Sequence, residues 1–392
     1  MNLSAAIEVR RRAAYAGPRE RPRVLVPCDP APRGGEIVKF GLFYQLPCAA
    51  EQSEPVRYQE TLEQIALADQ LGFDVAWMAE LHFFRNFSIM ASPLMVAVAV
   101  AQRTRRIRLG TAVTLLPFHH PLRAAEEAAT ADILTGGRLE YGVGRGTIAV
   151  HFQGFGMSRD ESRERFEEAL EIVVRAWSGE RVTYKGRFYQ VSDVAVEPRP
   201  LQKPHPPIRI AANSPETAEF AGRKGYDVLV ASPINPVPGF YEHIRAYRAA
   251  LKTGARPEHP GDVAALFFVC PHASRAASRA EAERSLLHYF HTIGEQALVG
   301  GRGQYEGSYA YLEQVRDRAA AMTYEVVDET MAVYGSPEEC IARINDVYQH
   351  SGIDQLVCWF NAGGLIPHRD VMATMERFAA KVMPAVRGLG AR

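Results

Sequence analysis

Three short segments of the chain carry side chains able to act on a bound molecule. The first is Glu80-Leu81-His82, followed at once by Phe83 and Phe84. A carboxylate and an imidazole beside aromatic rings could relay protons in a dry pocket. Taken alone, the same pair is better read as structural, with Glu80 salt-bridged inside a barrel mouth and His82 bonded to a loop.

The second segment is Gly142-Val143-Gly144-Arg145-Gly146. It is not a dinucleotide fingerprint, because the third glycine falls one position early, Thr147 stands in its place, and no helix opens directly after it. Glycines here would let the backbone approach a ligand, while Arg145 offers a two-pronged clamp for phosphate. Arg123, two residues after Pro121 at a helix start, could converge on the same anion.

The third segment is Asn213-Ser214-Pro215-Glu216-Thr217. Ser214 as N-cap and Pro215 behind it make a helix N-terminus, whose free N–H groups and dipole suit a phosphate. The hydroxyls of Ser214 and Thr217 add donors, although an ordinary helix cap explains the pattern equally well. His119-His120 has no third ligand at a metal-binding spacing and reads as a turn at a pocket rim, so no metal is expected. By spacing alone, Tyr289 and Trp359 are packing residues.

These segments need a frame. VKFGLFY (38–44), DVAWMAEL (74–81), IRLGTAVTLL (107–116), LEYGVG (139–144), IRIAA (208–212), DVLVAS (227–232), LFFVC (266–270) and DQLVCWF (354–360) are strand-like runs separated by helical patterns. Helices are expected through Leu62, Ile65 and Ala66, stopping at Gly72, over Met95–Ala101, and over Pro121–Leu134 before Gly136-Gly137. Phe166, Ala169, Leu170, Val173, Val174 and Trp177 trace one apolar face, with Ser158 and Glu161 as a capping box upstream. Ser336-Pro337-Glu338-Glu339 is another helix start. Eight strands in strict alternation with helices predict a parallel (β/α)₈ TIM barrel. A hairpin is expected around 183–189.

Residues 1–36, rich in arginine and then in proline and glycine, read as a poorly ordered N-terminal extension. Residues 37–392 then form a single barrel domain, with a helical insertion around 280–330. Lys plus Arg (45) balance Asp plus Glu (45), which gives no reason to expect nucleic acid or an anionic membrane. No apolar run is long enough to span a bilayer. Five scattered cysteines without a C-x-x-C pair fit a reduced cytoplasmic protein. The basic start lacks the apolar segment of a secretory signal. Arginine far outnumbers lysine, as in the proteins of GC-rich bacteria.

WMAELHF (77–83), RIRLGTAVTLLPFHHPLR (106–123), GGRLEYGVGRG (136–146), IRIAANSPETAEFAGRKG (208–225), GSPEECIARI (335–344) and SGIDQLVCWFNAGG (351–364) resemble, in order and spacing, the bacterial luciferase-like flavin-dependent monooxygenases. The resemblance implies the barrel, a homodimer, and reduced FMN supplied by a separate flavin reductase, since no NAD-binding motif is present. It further implies O2 adding to the flavin as a C4a-(hydro)peroxide that oxidises a small organic substrate. By position it assigns the phosphate to Arg123, Arg145, Asn213, Ser214 and Thr217. It places a β-bulge, often with a cis peptide, at Ala112-Val113, and an aromatic near Tyr289 on the flavin. Glu80 and His82 remain as proton donor or acceptor, while Leu81 stands where luciferases carry their catalytic histidine. That departure makes luciferase-type aldehyde oxidation doubtful. The same fold also admits an F420-dependent hydride-transfer enzyme or a non-catalytic FMN-binding protein; a metal-dependent hydrolase is remote.

Overall fold

The expected alternation is present in the computed structural model, which describes residues 38–298, 319 and 321–388. The N-terminal extension, Cys28 and the middle of the insertion lie outside the described residues.

Eight parallel strands close into a barrel: β1 (Lys39–Tyr44), β2 (Val75–Met78), β3 (Arg108–Thr111), β4 (Leu139–Gly144), β5 (Ile208–Ala211), β6 (Asp227–Ala231), β7 (Val263–Pro271) and β8 (Gln355–Trp359). Neighbours in sequence are neighbours in the ring, and β8 closes it by pairing Val357 with Gly41 of β1. Between them run α1 (Glu54–Leu71), α2 (Pro93–Ala101), α3 (Pro121–Leu134), α4 (Ser162–Ser178), α5 (Pro215–Lys224) and α6 (Gly239–Lys252). The chain after β7 holds α7 (Arg275–Leu298), a short helix Tyr324–Thr330 and a strand Ala332–Gly335 that extends β7 beyond the barrel. Next come α8 (Pro337–Ser351) and, beyond β8, α9 (His368–Lys381).

Local chemistry explains these boundaries. α1 stops where Gly72 turns left-handed, at φ 93°. α8 starts in a complete capping box between Ser336 and Glu339. The expected box at Ser158 is not formed: a turn separates Ser158 from α4, whose N-cap is Glu161. α4 does bury Phe166, Ala169, Leu170, Val173 and Trp177, and Trp177 Nε1 donates to the Ala125 carbonyl of α3 at 3.0 Å. The hairpin pairs Val182–Lys185 with Gln190–Val194.

The lumen is plugged near its N-terminal end. Trp77 fills it, donating from Nε1 to Gln355 Oε1 at 2.6 Å. A Cβ at Gly110 would lie 2.2 Å from the Trp77 ring, so glycine on β3 is what admits the indole. Below Trp77 the strand starts hold an ion network. Arg209, nearly inaccessible, bonds Glu140 at 3.0 Å and Asp262 at 2.8 Å, and Arg108 adds a bond to Glu140 at 2.8 Å. Burial opposes the charge on Glu140, yet Arg209 and Arg108 hold its carboxyl below the ordinary value. With the bottom closed, a ligand can enter from the C-terminal ends of the strands.

Among the described residues, no helix is long and apolar enough to cross a membrane. Cys48, Cys270, Cys340 and Cys358 are buried free thiols.

Candidate active site at the barrel mouth

β2 delivers Glu80 to the mouth. Its loop is fixed by Ala79 N–H donating to Tyr44 and Leu81 N–H donating to Met90. The Glu80 carboxylate is 3% exposed and accepts three hydrogen bonds. Leu115 N–H reaches Oε2 at 3.0 Å, while His119 Nε2 and His82 Nε2 lie 2.8 and 3.0 Å from Oε1. Burial alone would raise the pKa of Glu80. The donors from His119 and His82 overcome it and hold the carboxyl down at about 2, so it is ionised and both histidines donate to it. For His119, burial disfavours the charge, but the bond to Glu80 and its charge outweigh this and raise the pKa.

A third imidazole completes the cluster. His151, on the short helix Ala149–Gly154, accepts the backbone N–H of His82 on Nε2 at 3.1 Å. Burial and the neighbouring His82 lower its pKa to about 4. Phe118 and Phe155 stack at 4.9 Å beside His82, which meets Phe155 edge-on at 4.9 Å.

Glu80 and His82 therefore come together as a pair. His119, expected as a rim turn, is the nearest partner of Glu80, and His151 was not singled out by its sequence at all. No spacing rule joins residues 80, 119 and 151. The signal is topological: β2, β3 and β4 are adjacent in the ring, so the loops that follow them meet.

Farther round the ring, the chain leaves β5 through Asn213. Its Oδ1 accepts Ala231 N–H at 3.1 Å and its carbonyl accepts Asn235 Nδ2 at 3.1 Å, which ties the turn to the end of β6. Ser214 caps α5, accepting Thr217 N–H at 3.4 Å, with the two hydroxyl oxygens 3.0 Å apart. Asn213, Ser214, Thr217 and Arg145 all line one cavity of about 340 Å³. Arg123 stands apart from it. Its side chain is 68% exposed and its Nε donates to Glu127 at 2.7 Å on α3.

The same cavity is walled by Ala112 and Val113, whose peptide bond is cis. Ala112 N–H donates to Met78 O at 2.8 Å. The bulge presses on β4 so closely that only glycine fits there. A Cβ at Gly142 would sit 1.9 Å from Thr111 O, and one at Gly144 2.5 Å from Val113 Cγ2. Tyr289 is buried on another wall, stacked at 5.9 Å on Phe87 and edge-on to Trp359 at 4.8 Å. Glu80, Leu81 and His151 line the cavity as well. One space thus joins Arg145 and the N-terminus of α5 to Glu80 and His151, with apolar walls between. Among the described residues no His, Cys, Asp and Glu group is arranged to hold a metal ion.

A family model described as luciferase-like monooxygenase matches residues 38–355. The oxygenase component of the flavin-dependent trigonelline monooxygenase of Acinetobacter baylyi is 28% identical over 89% of this chain and 95% of its own. Among solved structures, the oxygenating constituent of 3,6-diketocamphane monooxygenase from Pseudomonas putida, in complex with FMN, superposes with a TM-score of 0.74. It is 17% identical and covers 89% of this chain and 98% of its own. The coenzyme F420-dependent tetrahydromethanopterin reductase of Methanopyrus kandleri shares the fold at a TM-score of 0.65, with 19% identity over 89% of this chain and 99% of its own.

Proposed function

Since the chain belongs to the luciferase-like monooxygenase family, we propose that it is the oxygenase of a two-component system, taking reduced FMN from a separate reductase and oxidising a small organic substrate with O2. It is a flavin-dependent oxidoreductase. The observation that carries the finer reading is the placement of Arg145, Ser214 and Thr217 on the same cavity as the Ala112-Val113 bulge and the Glu80 cluster.

The residues present fit FMN. A guanidinium, two hydroxyls and the N-terminus of α5 match a phosphate dianion. Glycine at 142 and 144 lets the Ala112-Val113 bulge pack directly on β4, so the cavity wall there is made of Ala112, Val113 and Gly144, small groups against which a ring system fits. Arg123 would have to leave Glu127 to join the phosphate. Reduced flavin, when bound, supplies the electrons and activates dioxygen.

The chain's own groups do the rest. Apolar walls from Phe43, Leu229, Leu266 and Val357 exclude water. Glu80, on the cavity wall, holds His82 and His119 behind it with their Nε2 protons directed at its carboxylate. Leu81, on that wall, contributes shape and no proton.

Turnover with ¹⁸O2, FMN, NADH and an added flavin reductase tests this reading. Incorporation of label into an organic product supports it. Release of hydrogen peroxide alone with every substrate supports a non-catalytic FMN-binding protein. Binding of F420 in preference to FMN moves the chain to hydride transfer.

A further inference from the structure

Among the described residues, the titratable side chains on the cavity wall are Glu80, Arg145, His151 and Tyr289. A guanidinium keeps its protons. Burial pushes the Tyr289 hydroxyl up, and His151, held at about 4, is neutral near pH 7. Glu80 is the remaining group, and its Oε1 is bonded to two imidazoles behind it, His82 Nε2 at 3.0 Å and His119 Nε2 at 2.8 Å.

The two imidazoles differ in what lies beyond them. The side chain of His82 is 11% exposed and is boxed by the rings of Phe83, Phe118, Phe155 and His151, with centroids 4.9 to 6.4 Å away. The side chain of His119 is 30% exposed. The charge of Glu127, on α3 and paired with Arg123, adds to that of Glu80 in favouring the His119 cation. His119 therefore joins solvent to the Glu80 carboxylate, while His82 is sealed.

A flavin oxygenase needs a proton in the cavity. Singly ionised reduced FMN, O2 and substrate give FMN, water and oxygenated product only when one proton is taken up. Without substrate, the same uptake gives FMN and hydrogen peroxide. The apolar walls keep bulk water from supplying that proton.

We propose that solvent protons reach the cavity through His119 and then Glu80, with His82 an anchor that takes no part in the transfer. This rests on the oxygenase reading for its need of a proton. The His119 imidazolium passes its Nε2 proton along the bond to Oε1 of Glu80, which becomes a neutral acid. A carboxyl that titrates at about 2 holds the proton only in passing and gives it to a better base in the cavity, returning to carboxylate. The neutral imidazole takes the next proton from solvent. His119 acts through Glu80 and is a positioning residue.

The route is tested first without flavin, by histidine ¹⁵N spectra of the wild-type protein. His119 should titrate above 6.5, and its Nε2 proton should exchange with water faster than that of His82. A His119 that does not titrate, or exchange led by His82, overturns the proposal. The second arm mixes reduced FMN, bound to excess protein, with O2 and follows the return of oxidised flavin. The wild-type rate should fall as pH rises through the pKa of His119. His119→Gln keeps an N–H donor for Glu80 but cannot relay a proton. It should bind reduced FMN as the wild type does, yet reoxidise it about 100-fold more slowly and without that pH dependence. His119→Ala should be slow and should recover with added imidazole. A His119→Gln variant with the wild-type rate, or a His119→Ala variant that imidazole does not restore, overturns the proposal. Failure of wild-type protein to bind reduced FMN, with the ¹⁵N results as expected, overturns the flavin reading alone.

Discussion

His119 donates its Nε2–H to the carboxylate of Glu80 at 2.8 Å, joining the loop after β3 to the loop after β2. The bond has opposite signatures in its two members. Glu80 has its pKa depressed to about 2, so its stabilising effect is present above the unfolded value and lost as pH falls toward 2. His119 has its pKa raised, so its effect is fully present below 6.5 and lost as pH rises through the folded value. In Glu80→Gln both raising influences of Glu80 vanish and burial is opposed only by the more distant charge of Glu127, so the pKa of His119 should fall in an NMR titration. Turnover of the same variant should fall by about 100-fold or more if the cluster exchanges protons with substrate. An unchanged His119 titration would contradict the assignment.

His151 makes the opposite contribution to acid stability. Its folded pKa of about 4 lies below 6.5, so between these values the unfolded chain binds the extra proton. Stability from this group is complete above pH 6.5 and is lost as pH falls toward 4. Urea midpoints across pH 4–7 should therefore fall less steeply with acidification in His151→Phe than in the wild type, the two curves differing by on the order of 2–3 kcal/mol across the range.

The plug of the barrel is a packing device. Gly110→Ala would drive its methyl to 2.2 Å from the Trp77 ring, and Trp77 is fully buried and held by Gln355. Overpacking of this kind costs about 1–3 kcal/mol, readable in urea denaturation. Trp77→Leu in the Gly110→Ala background should recover part of that loss, because it removes the ring that the methyl meets.

Arg209 bridges Glu140 and Asp262 at the barrel floor. Arg209→Met leaves both carboxylates buried without their principal cation, a loss of about 3–5 kcal/mol at pH 7. The variant should regain stability relative to the wild type as pH is lowered, because protonation relieves the exposed repulsion. A loss independent of pH would show that packing of the long side chain on Trp77, at 5.6 Å, is the larger effect.

The barrel was legible because parallel strands buried on both faces appear as unbroken apolar runs, as in LEYGVG and DVLVAS. The caps at Ser214 and Ser336 were legible because a cap acts within one helical turn. Ser158 misled for the same reason: the S-x-x-E spacing is there, but the turn that follows places the helix start later. The site was legible only where its residues are consecutive, as in Glu80-Leu81-His82 and Asn213-Ser214. His119 and His151 reach Glu80 and His82 through the closure of the ring, which no local pattern encodes. Arg123 shows the converse. It sits at the expected helix start, yet in the structure it is engaged by Glu127, one helical turn along on its own face.

The most direct test of the account is an anaerobic titration of the protein with reduced FMN and with reduced riboflavin, repeated on Arg145→Ala. Wild-type protein should bind reduced FMN at least roughly tenfold more tightly than reduced riboflavin, and Arg145→Ala should weaken FMN by about 2 kcal/mol while leaving riboflavin unchanged. Arg123→Ala should cost less, since that side chain gives up Glu127 to reach the ligand. Equal affinities for FMN and riboflavin in the wild type, or an Arg145→Ala variant that binds FMN as tightly as its parent, would contradict the placement of the flavin phosphate between Arg145 and the start of α5.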